Sequence, residues 1–548
     1  MGFVIGNRCS DGHFILHNLI KDYCHVNGRW LYSCFVDFSK AFDCIPRDIL
    51  FERLKSKGIR GKVFNLIKKI YTNEKCKVKV GGMLSDTFDA NQGVRQGCIL
   101  SPLLFNIFIP DLPDILSKPE NDPAKIGIDE TLSCILWADD LVMTSESKEG
   151  LTKMLQDLSE FSSKNGLKIN QDKTKCMVFN KTGRHIRCNI RTNGMLITSV
   201  REYKYLGFLI TPSGEVSTGI KDLKSRALYA LVQLRKKLGV NFRENIKISF
   251  YLFDSLVKPI MLYCSDFWAP LCIQKKDPSE LLPKKNLIDL VHMKFLKQLL
   301  GVQTQTSNIG VLLETGRVPL MAYAIKNSIK NWFRIGVLNE CNSLTLLSFQ
   351  NIVRKDLDWY KNIKNILNHI GLANILHDED ISGPEVKVFE RLVDIFYQNS
   401  FAEIKKETSK LRTYGLIKKE AGEEPYLRAV SNVKDRISMS KFRLSNHKLM
   451  IEKGRHLNLA KFERKCPFCP NVEDETHFLL HCQTFRVLRE NMLEAVREEL
   501  SEELDRNNDE VMLRYLLGNI QISPIVSKYL RKTMELRDLL IEKPKQLT

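Results

Sequence analysis

The sequence predicts a multi-domain α+β chain, and three observations carry that prediction. Short apolar runs that read as strands alternate with helical stretches from Leu31 to about Thr211, after which the text is almost wholly helical. A length of 548 residues, 43% hydrophobic and 27% charged, is ordinary globular composition and allows about three or four domains. Finally, 83 Lys and Arg stand against 64 Asp and Glu, a net +19 that favours an anionic partner such as nucleic acid. No apolar run approaches the ~18–20 residues of a membrane-spanning helix. The opening text MGFVIGNRCSDG lacks a charged leader with a long apolar stretch, and Gly6 breaks the myristoylation pattern. Fifteen scattered Cys, an odd number, fit reduced thiols, so an intracellular protein is expected.

Taken in order, LYSCFV (31–36) reads as a strand, followed by a turn into a helix that ends at Gly58. The alternating text CKVKVGGMLSDTFDA (76–90), broken by Gly81-Gly82, reads as a hairpin. Ser101-Pro102 reads as an N-cap with Pro in the first turn of a helix. SCILWADDLVMTS (133–145) is a pair of apolar runs around Asp139-Asp140. Leu151–Asn165 places Leu151, Met154, Leu155, Leu158 and Phe161 on one helical face. Residues 201–300 hold 17 basic against nine acidic residues, with Lys221, Lys224, Arg226, Arg235, Lys236 and Lys237 on helical text that suits either a phosphate backbone or plain solvent. Residues 301–455 read as helices with no repeat, and a Cys/His cluster at 466–482 precedes an acidic helical tail.

The chemistry concentrates in carboxylates. Asp37 closes an apolar strand, and Asp139-Asp140 lie between two apolar runs. Neighbouring carboxylates repel, and a divalent cation relieves that repulsion. Hard oxygen ligands on strands suit Mg²⁺, which also takes phosphate oxygens, and a pair of such ions serves phosphoryl transfer. For the dipeptide alone, a plain Asp-Asp turn is the better reading.

The surrounding text decides otherwise. FVDFSKAFD (35–43), NQGVRQGCILSPLLFN (91–106), ILWADDLVM (135–143), GLKINQDKTKCMVF (166–179) and YKYLGFLI (203–210) occur in this order and resemble the successive palm motifs of reverse transcriptases. The nearest resemblance is to the polymerases of non-LTR (long interspersed element-type) retrotransposons. GFVIGNRCSDGHFIL (2–16) resembles the last segment of their fingers, so the resemblance implies a chain that starts late, with partial fingers.

It further implies a right-hand polymerase: partial fingers and a palm with a ferredoxin-like sheet over 1–213, and a helical basic thumb over 214–300. A helical connection region over 301–455, a zinc-knuckle-like element over 456–486 and an acidic tail over 487–548 would follow. By the same resemblance Asp37, Asp139 and Asp140 would hold two Mg²⁺. Phe42, five residues after Asp37, would be the gate that excludes a 2′-hydroxyl, where without the resemblance a core Phe on the strand-to-helix turn is the better reading. Gln96 and Gly97 would face the nascent base pair, Gly97 because its bare backbone permits close approach. Arg95 would meet phosphate or solvent. Lys173 would protonate the leaving pyrophosphate, and Tyr205, Leu206 and Gly207 would form the primer grip. Trp137 replaces the commoner Tyr or Phe before the Asp pair. The implied activity is RNA-directed DNA synthesis from dNTPs on an RNA template and a DNA primer or target, away from membranes and in the nucleus; the alternative is a silent nucleic-acid-binding remnant.

The spacing Cys466-x₂-Cys469-x₇-His477-x₄-Cys482 offers three thiolates and an imidazole for one structural Zn²⁺, with His481 as a rival ligand. Phe468, Phe478, Phe485 and Arg486 beside it suit nucleic-acid contact or a small core. Glu498, Glu499, Glu502 and Glu503 read as a solvated helix face.

Overall fold

The structure is a computed structural model that describes the chain except residues 1, 3, 5, 128–129, 274–285, 337–342, 378–382, 407–408, 501–507 and 543–548. It divides into two compact units that do not follow chain order. The first comprises Met1–Asp222 with Cys264–Gln274 and Ser328–Asn365; the second comprises Leu223–Tyr263, Lys275–Asn327 and Ile366–Thr548. The helical text expected over 301–455 is therefore shared between them. No helix among the described residues is long and apolar enough to cross a membrane.

The first unit is built on a six-stranded sheet. From edge to edge it runs Ile190–Thr192, Met195–Ser199, Lys175–Phe179, Leu31–Val36, Asp140–Ser145 and Cys134–Trp137. The last four strands, numbered along the chain, lie in the order 4-1-3-2, with helices in both crossovers. This is the ferredoxin-like arrangement of a β-α-β-β-α-β unit. The central strand Leu31–Val36 pairs antiparallel with neighbours on both sides, Cys34 opposite Met143 and opposite Cys176.

Alternation along that strand sends its side chains to two different layers. Cys34 and Val36 join Leu141, Met143 and Val178 in a core with Leu151, Met154, Leu155 and Leu158 of the helix Lys148–Lys164. Ser147 caps this helix, its hydroxyl accepting from the Gly150 amide at 3.0 Å. Phe35, on the other face, stacks on Tyr203 with ring centroids 4.4 Å apart. Ser101, read from sequence as an N-cap, is instead the first helical residue of Ser101–Phe108, and its hydroxyl donates to the Arg95 carbonyl at 2.5 Å.

The helix Cys9–Ile20 is buried on every side from Ser10 onward. Its polar residues are matched individually within this unit: Ser10 donates to Asp266 at 2.6 Å, Asp11 pairs with Arg334, and Asn18 donates to Ser348 at 3.2 Å. Just beyond it, Asp22 pairs with Lys355 at 2.6 Å.

The second unit is helical. Its interior carries a fully buried Arg443, paired with the equally buried Glu314 at 2.8 Å and with Glu424. The helix Val433–Arg443 packs along the long helix Ser523–Glu542.

Candidate active site and metal centre

Register places the predicted carboxylates. Val36 is opposite Leu141, so one further step along the same antiparallel pairing sets Asp37 opposite Asp140. On the other side Phe35 is opposite Lys175, after which the chain turns: the Asn170 amide donates to Asp37 O at 2.8 Å and Phe38 bridges to Ile169. Asp140 and Asp37 thus form a row at adjacent strand ends, and the turn between Asn170 and Lys175 carries Lys173 up to Asp37. The two carboxylates share the face of Phe35 and Tyr203, away from the helical layer. Asp139 occupies the tip of the two-residue hairpin that joins Trp137 to Asp140. Ala138 enters that turn at φ +54°, a conformation usually left to Gly, so the tip is locally strained. Trp137 is half-buried and pairs with Asp140 across this turn.

The electrostatics of the row are unmet. Burial, then the charges of Asp139 and Asp37, push the Asp140 carboxyl up to about 6, with Lys173 opposing. Burial and the Asp37 charge also raise Asp139. Lys173 is the cation nearest Asp37, its Nζ 3.5 Å from Oδ2, but its side chain is 67% exposed. Three half-buried carboxylates against one solvated lysine make a donor set suited to hard divalent cations. Asn170 is a member that the sequence reading did not assign. Its Nδ2 donates to Asp37 Oδ2 at 3.1 Å, while its Oδ1 accepts from the Lys173 amide at 3.3 Å. One side chain therefore fixes both the carboxylate and the turn that carries the lysine.

The Gln96-Gly97 segment is brought to the turn after Asp37 by backbone pairing. The Gly93 amide donates to Ile45 O and the Val94 amide to Phe42 O, each at 2.8 Å. Gln96 Nε2 then donates to Asp43 at 3.1 Å. Gly97 holds φ +80° with open space where a Cβ would stand, so its backbone is accessible from outside. Phe42 is half-buried and stacked on Phe105, centroids 4.7 Å apart. Arg95 pairs with Glu74 at 2.5 Å, which supplies it with a partner inside the protein.

Tyr205 and Phe208 close a hairpin whose turn residues Leu206 and Gly207 both have positive φ, the type I′ geometry that suits twisted strands. Tyr205 is buried against Phe35 and His13, and the turn residues Leu206 and Gly207 are half-buried, the Leu206 carbonyl 3.4 Å from His13 Nε2. The basic residues Lys221, Lys224, Arg226, Arg235, Lys236 and Lys237 all lie on the helix Ser217–Leu238, exposed or half-buried.

In the second unit, Cys466, Cys469, His477 and Cys482 bring one ligand atom each within 4.8 Å of one another. Cys466 and Cys482 sulfurs are 4.0 Å apart, and Cys469 Sγ lies 3.1 Å from His477 Nε2. A tetrahedral Zn²⁺ with ordinary bond lengths separates its ligands by roughly 3.5–3.8 Å, so the four residues fit that ion. His481, the rival, points away and contacts Asp509 at 2.7 Å. Burial, with the neighbouring thiols, pushes Cys466 up to about 12, so binding a metal here must release a proton.

The loop between these ligands is tied into the unit. Glu473 receives two bonds from Arg537, at 2.6 and 2.7 Å, and Glu475 receives Arg412 at 2.8 Å and His447 at 3.0 Å. Phe478 and Phe485 are buried, whereas Arg486 is exposed. Of the acidic tail residues, Glu498 and Glu499 are exposed on the helix Arg486–Leu500, and Glu502 and Glu503 lie outside the described residues.

Residues 2–210 match the family model described as reverse transcriptase (RNA-dependent DNA polymerase). The chain is similar to the retrovirus-related Pol polyprotein from type-2 retrotransposable element R2DM of Drosophila melanogaster, 29% identical over 225 residues, covering 39% of this chain and 21% of that protein. It is also similar to the RNA-directed DNA polymerase from mobile element jockey of Drosophila funebris, 26% identical over 238 residues, covering 42% of this chain and 25% of that protein. The chain thus spans about a fifth to a quarter of the length of these curated relatives. Among solved structures it has a loose likeness to telomerase from Candida tropicalis in complex with the TWJ fragment of telomeric RNA. That likeness has a TM-score of 0.31 and 14% identity, covering 70% of this chain and 51% of that one.

Proposed function

We propose, from the match of residues 2–210 to the reverse transcriptase family model and the similarity to retrotransposon polymerases, that this chain is an RNA-directed DNA polymerase of the non-LTR kind. It adds dNTPs to a primer 3′-hydroxyl on an RNA template. The observation that carries the reading is the pair Asp140 and Asp37 at adjacent strand ends, with Asp139 at the adjoining tip and Lys173 reaching Asp37 from the neighbouring turn.

Asp37, Asp139 and Asp140 would hold the two Mg²⁺, which when bound neutralise the triphosphate and favour loss of the hydroxyl proton. The protein's own part is positioning. Asn170 orients Asp37, and the strained tip sets Asp139 beside it. The face shared with Phe35 and Tyr203 leaves the carboxylates open to a primer end seated on the turn of Leu206 and Gly207. Gln96 and the open backbone of Gly97 would meet the nascent base pair, with Phe42 beneath the sugar. Lys173, exposed and 3.5 Å from Asp37, would give a proton to departing pyrophosphate. The basic helix Ser217–Leu238 would follow the phosphates of the duplex as the thumb without reading sequence. Cys466, Cys469, His477 and Cys482 would hold one structural Zn²⁺.

Extension of a DNA primer on an RNA template with Mg²⁺ and dNTPs tests this reading, with Asp139→Asn beside the wild type. Product from the wild type and none from the variant is expected. Tight, salt-sensitive binding of primer–template with no product from either would favour the silent remnant.

A further inference from the structure

We propose that Cys34 and Cys176 are a redox-sensitive staple beneath the carboxylate site, a cross-strand thiol pair that a peroxide closes into a disulfide. The bond would tie the strand that leads into Asp37 to the strand that follows Lys173. Both residues lie in the first unit, and their chemistry is independent of the polymerase reading.

The phase of the backbone hydrogen bonds sets the two thiols side by side. The Thr144 amide donates to the Ser133 carbonyl at 2.8 Å, so the backbone groups of Thr144 turn towards the edge strand Cys134–Trp137. Successive residues of a strand turn these groups to opposite sides, so those of Met143 face Cys34, its partner in register. Cys34 therefore directs its own amide and carbonyl towards Met143 and away from Cys176, which is opposite it on the other side. The Cys176 carbonyl accordingly accepts from beyond, from the Val200 amide at 3.0 Å. Cys34 and Cys176 thus form a non-hydrogen-bonded antiparallel pair, whose Cα atoms stand ~4.5 Å apart with side chains close together. That spacing falls at the short end of the ~4.4–6.8 Å that a disulfide spans.

The surroundings keep the pair intact until an oxidant arrives. Cys34 and Cys176 are fully buried in the core under the helix Lys148–Lys164. Burial, then a hydrogen bond with the Cys176 thiol, pushes the Cys34 thiol well up, so it rests protonated. Cys188 belongs to the same core, yet its amide donates to Ser199 Oγ at 3.2 Å, and Ser199 pairs with Cys176 on the side away from Cys34. A strand therefore stands between Cys188 and Cys176, and two strand spacings of ~4.8 Å exceed the ~7 Å that a disulfide bridges.

Closure consumes one hydrogen peroxide. One sulfur attacks the O–O bond and becomes a sulfenic acid, and the departing oxygen leaves as water. The second thiol then displaces the sulfenic oxygen as a second water, and the S–S bond forms. Because both thiols are buried, the first step waits on local opening of the sheet.

The test is peptide mapping of the full chain after hydrogen peroxide, with remaining thiols blocked by N-ethylmaleimide in denaturant before digestion. The expected product is a peptide linking Cys34 to Cys176 that dithiothreitol cleaves. The unfolding temperature should rise by several degrees on closure and return on reduction. Cys34→Ala and Cys176→Ala should each lose the linked peptide and the shift, and Cys188→Ala should keep both. Recovery of Cys34 and Cys176 as maleimide adducts, once the half-buried Cys9, Cys44 and Cys98 are oxidised, overturns the pair. So does a linked peptide that joins Cys176 to Cys188. A Cys34–Cys176 link that leaves the unfolding temperature unchanged or lower overturns the staple. Mapping of the wild type decides the pairing even where a variant fails to fold.

Discussion

Asp140 and Glu475 are both carboxylates largely withdrawn from solvent, one in each unit, yet Asp140 is pushed up to about 6 and Glu475 is held down to about 2. Burial raises both. At Asp140 the neighbours Asp139 and Asp37 add to that rise, and only the solvated Lys173 opposes it. At Glu475 a hydrogen bond from His447 and the charges of His447 and Arg412 reverse it. The contrast separates two uses of acidic residues. Carboxylates matched by cationic side chains hold a fold together, and carboxylates crowded together with too few of them form a donor set that suits a cation.

The first way to break this comparison is to remove a waiting carboxylate. Asp139→Asn should lower the rate of nucleotide addition by roughly a hundred- to a thousandfold or more, with primer–template affinity within about twofold of wild type. Single-turnover extension and a binding titration measure the two quantities separately. Loss of binding together with rate would mean misfolding, and the contrast would fail at the palm.

The matching change in the other unit should act on stability. Glu475→Gln removes the charge shared by Arg412 and His447, while Arg412 keeps Glu452 at 3.0 Å, so the expected cost is about 1–3 kcal/mol at pH 7. The sign of the pH dependence follows from the lowered carboxyl. Its contribution is fully present above the ordinary value of 4.5 and disappears as pH falls towards about 2. Chemical unfolding of wild type and variant should therefore converge on acidification. Zinc enters the same comparison. Purified protein should carry one equivalent, and Cys469→Ser should lose it and lower the unfolding temperature of the second unit by several degrees. Metal analysis beside calorimetry reads both.

Asp140→Asn should do the opposite to Glu475→Gln. The Asp140 carboxyl is raised from 3.8, so the folded state takes up a proton between about pH 4 and 6, and its ionised form costs stability above that window. Without divalent metal, the variant should be more stable than wild type at pH 7 by roughly 1 kcal/mol, discounted because the group is partly solvated. The two should be equal below pH 4. Unfolding in the presence of a chelator checks it. The smallest effect is expected of Asn170→Ala, which frees Asp37 Oδ2. A few-fold rise in the Mg²⁺ concentration needed for half-maximal extension should result, with the maximal rate nearly kept.

Much of the palm was legible because its signals are local. Strand alternation, the tight Asp139-Asp140 hairpin and the period of the helix Lys148–Lys164 each depend on a few neighbouring residues. Ordered motifs then placed Asp37 and Lys173 in the same site. Asn170 escaped because its role rests on a partner 133 residues away, and an Asn in a turn ordinarily reads as turn chemistry alone. The burial of the helix Cys9–Ile20 likewise rests on distant partners, Arg334 for Asp11, Ser348 for Asn18 and the Gly214 carbonyl for His17. At the Cys/His cluster, spacing permitted both His477 and His481, and only the fold turns His481 towards Asp509. The interleaving of the two units along the chain left no compositional mark at all, since helices such as Ser265–Cys272 and Leu344–Arg354 resemble those around them.

The central claim is that Asp139 acts by holding a cation, and a change of metal tests it most directly. In Asp139→Cys a soft thiolate replaces a hard carboxylate, a ligand that Mg²⁺ rejects and Mn²⁺ tolerates better. Primer extension by this variant should be lost in Mg²⁺ and partly regained in Mn²⁺, with primer–template binding intact in both. Extension in Mg²⁺ at the wild-type rate would contradict the account.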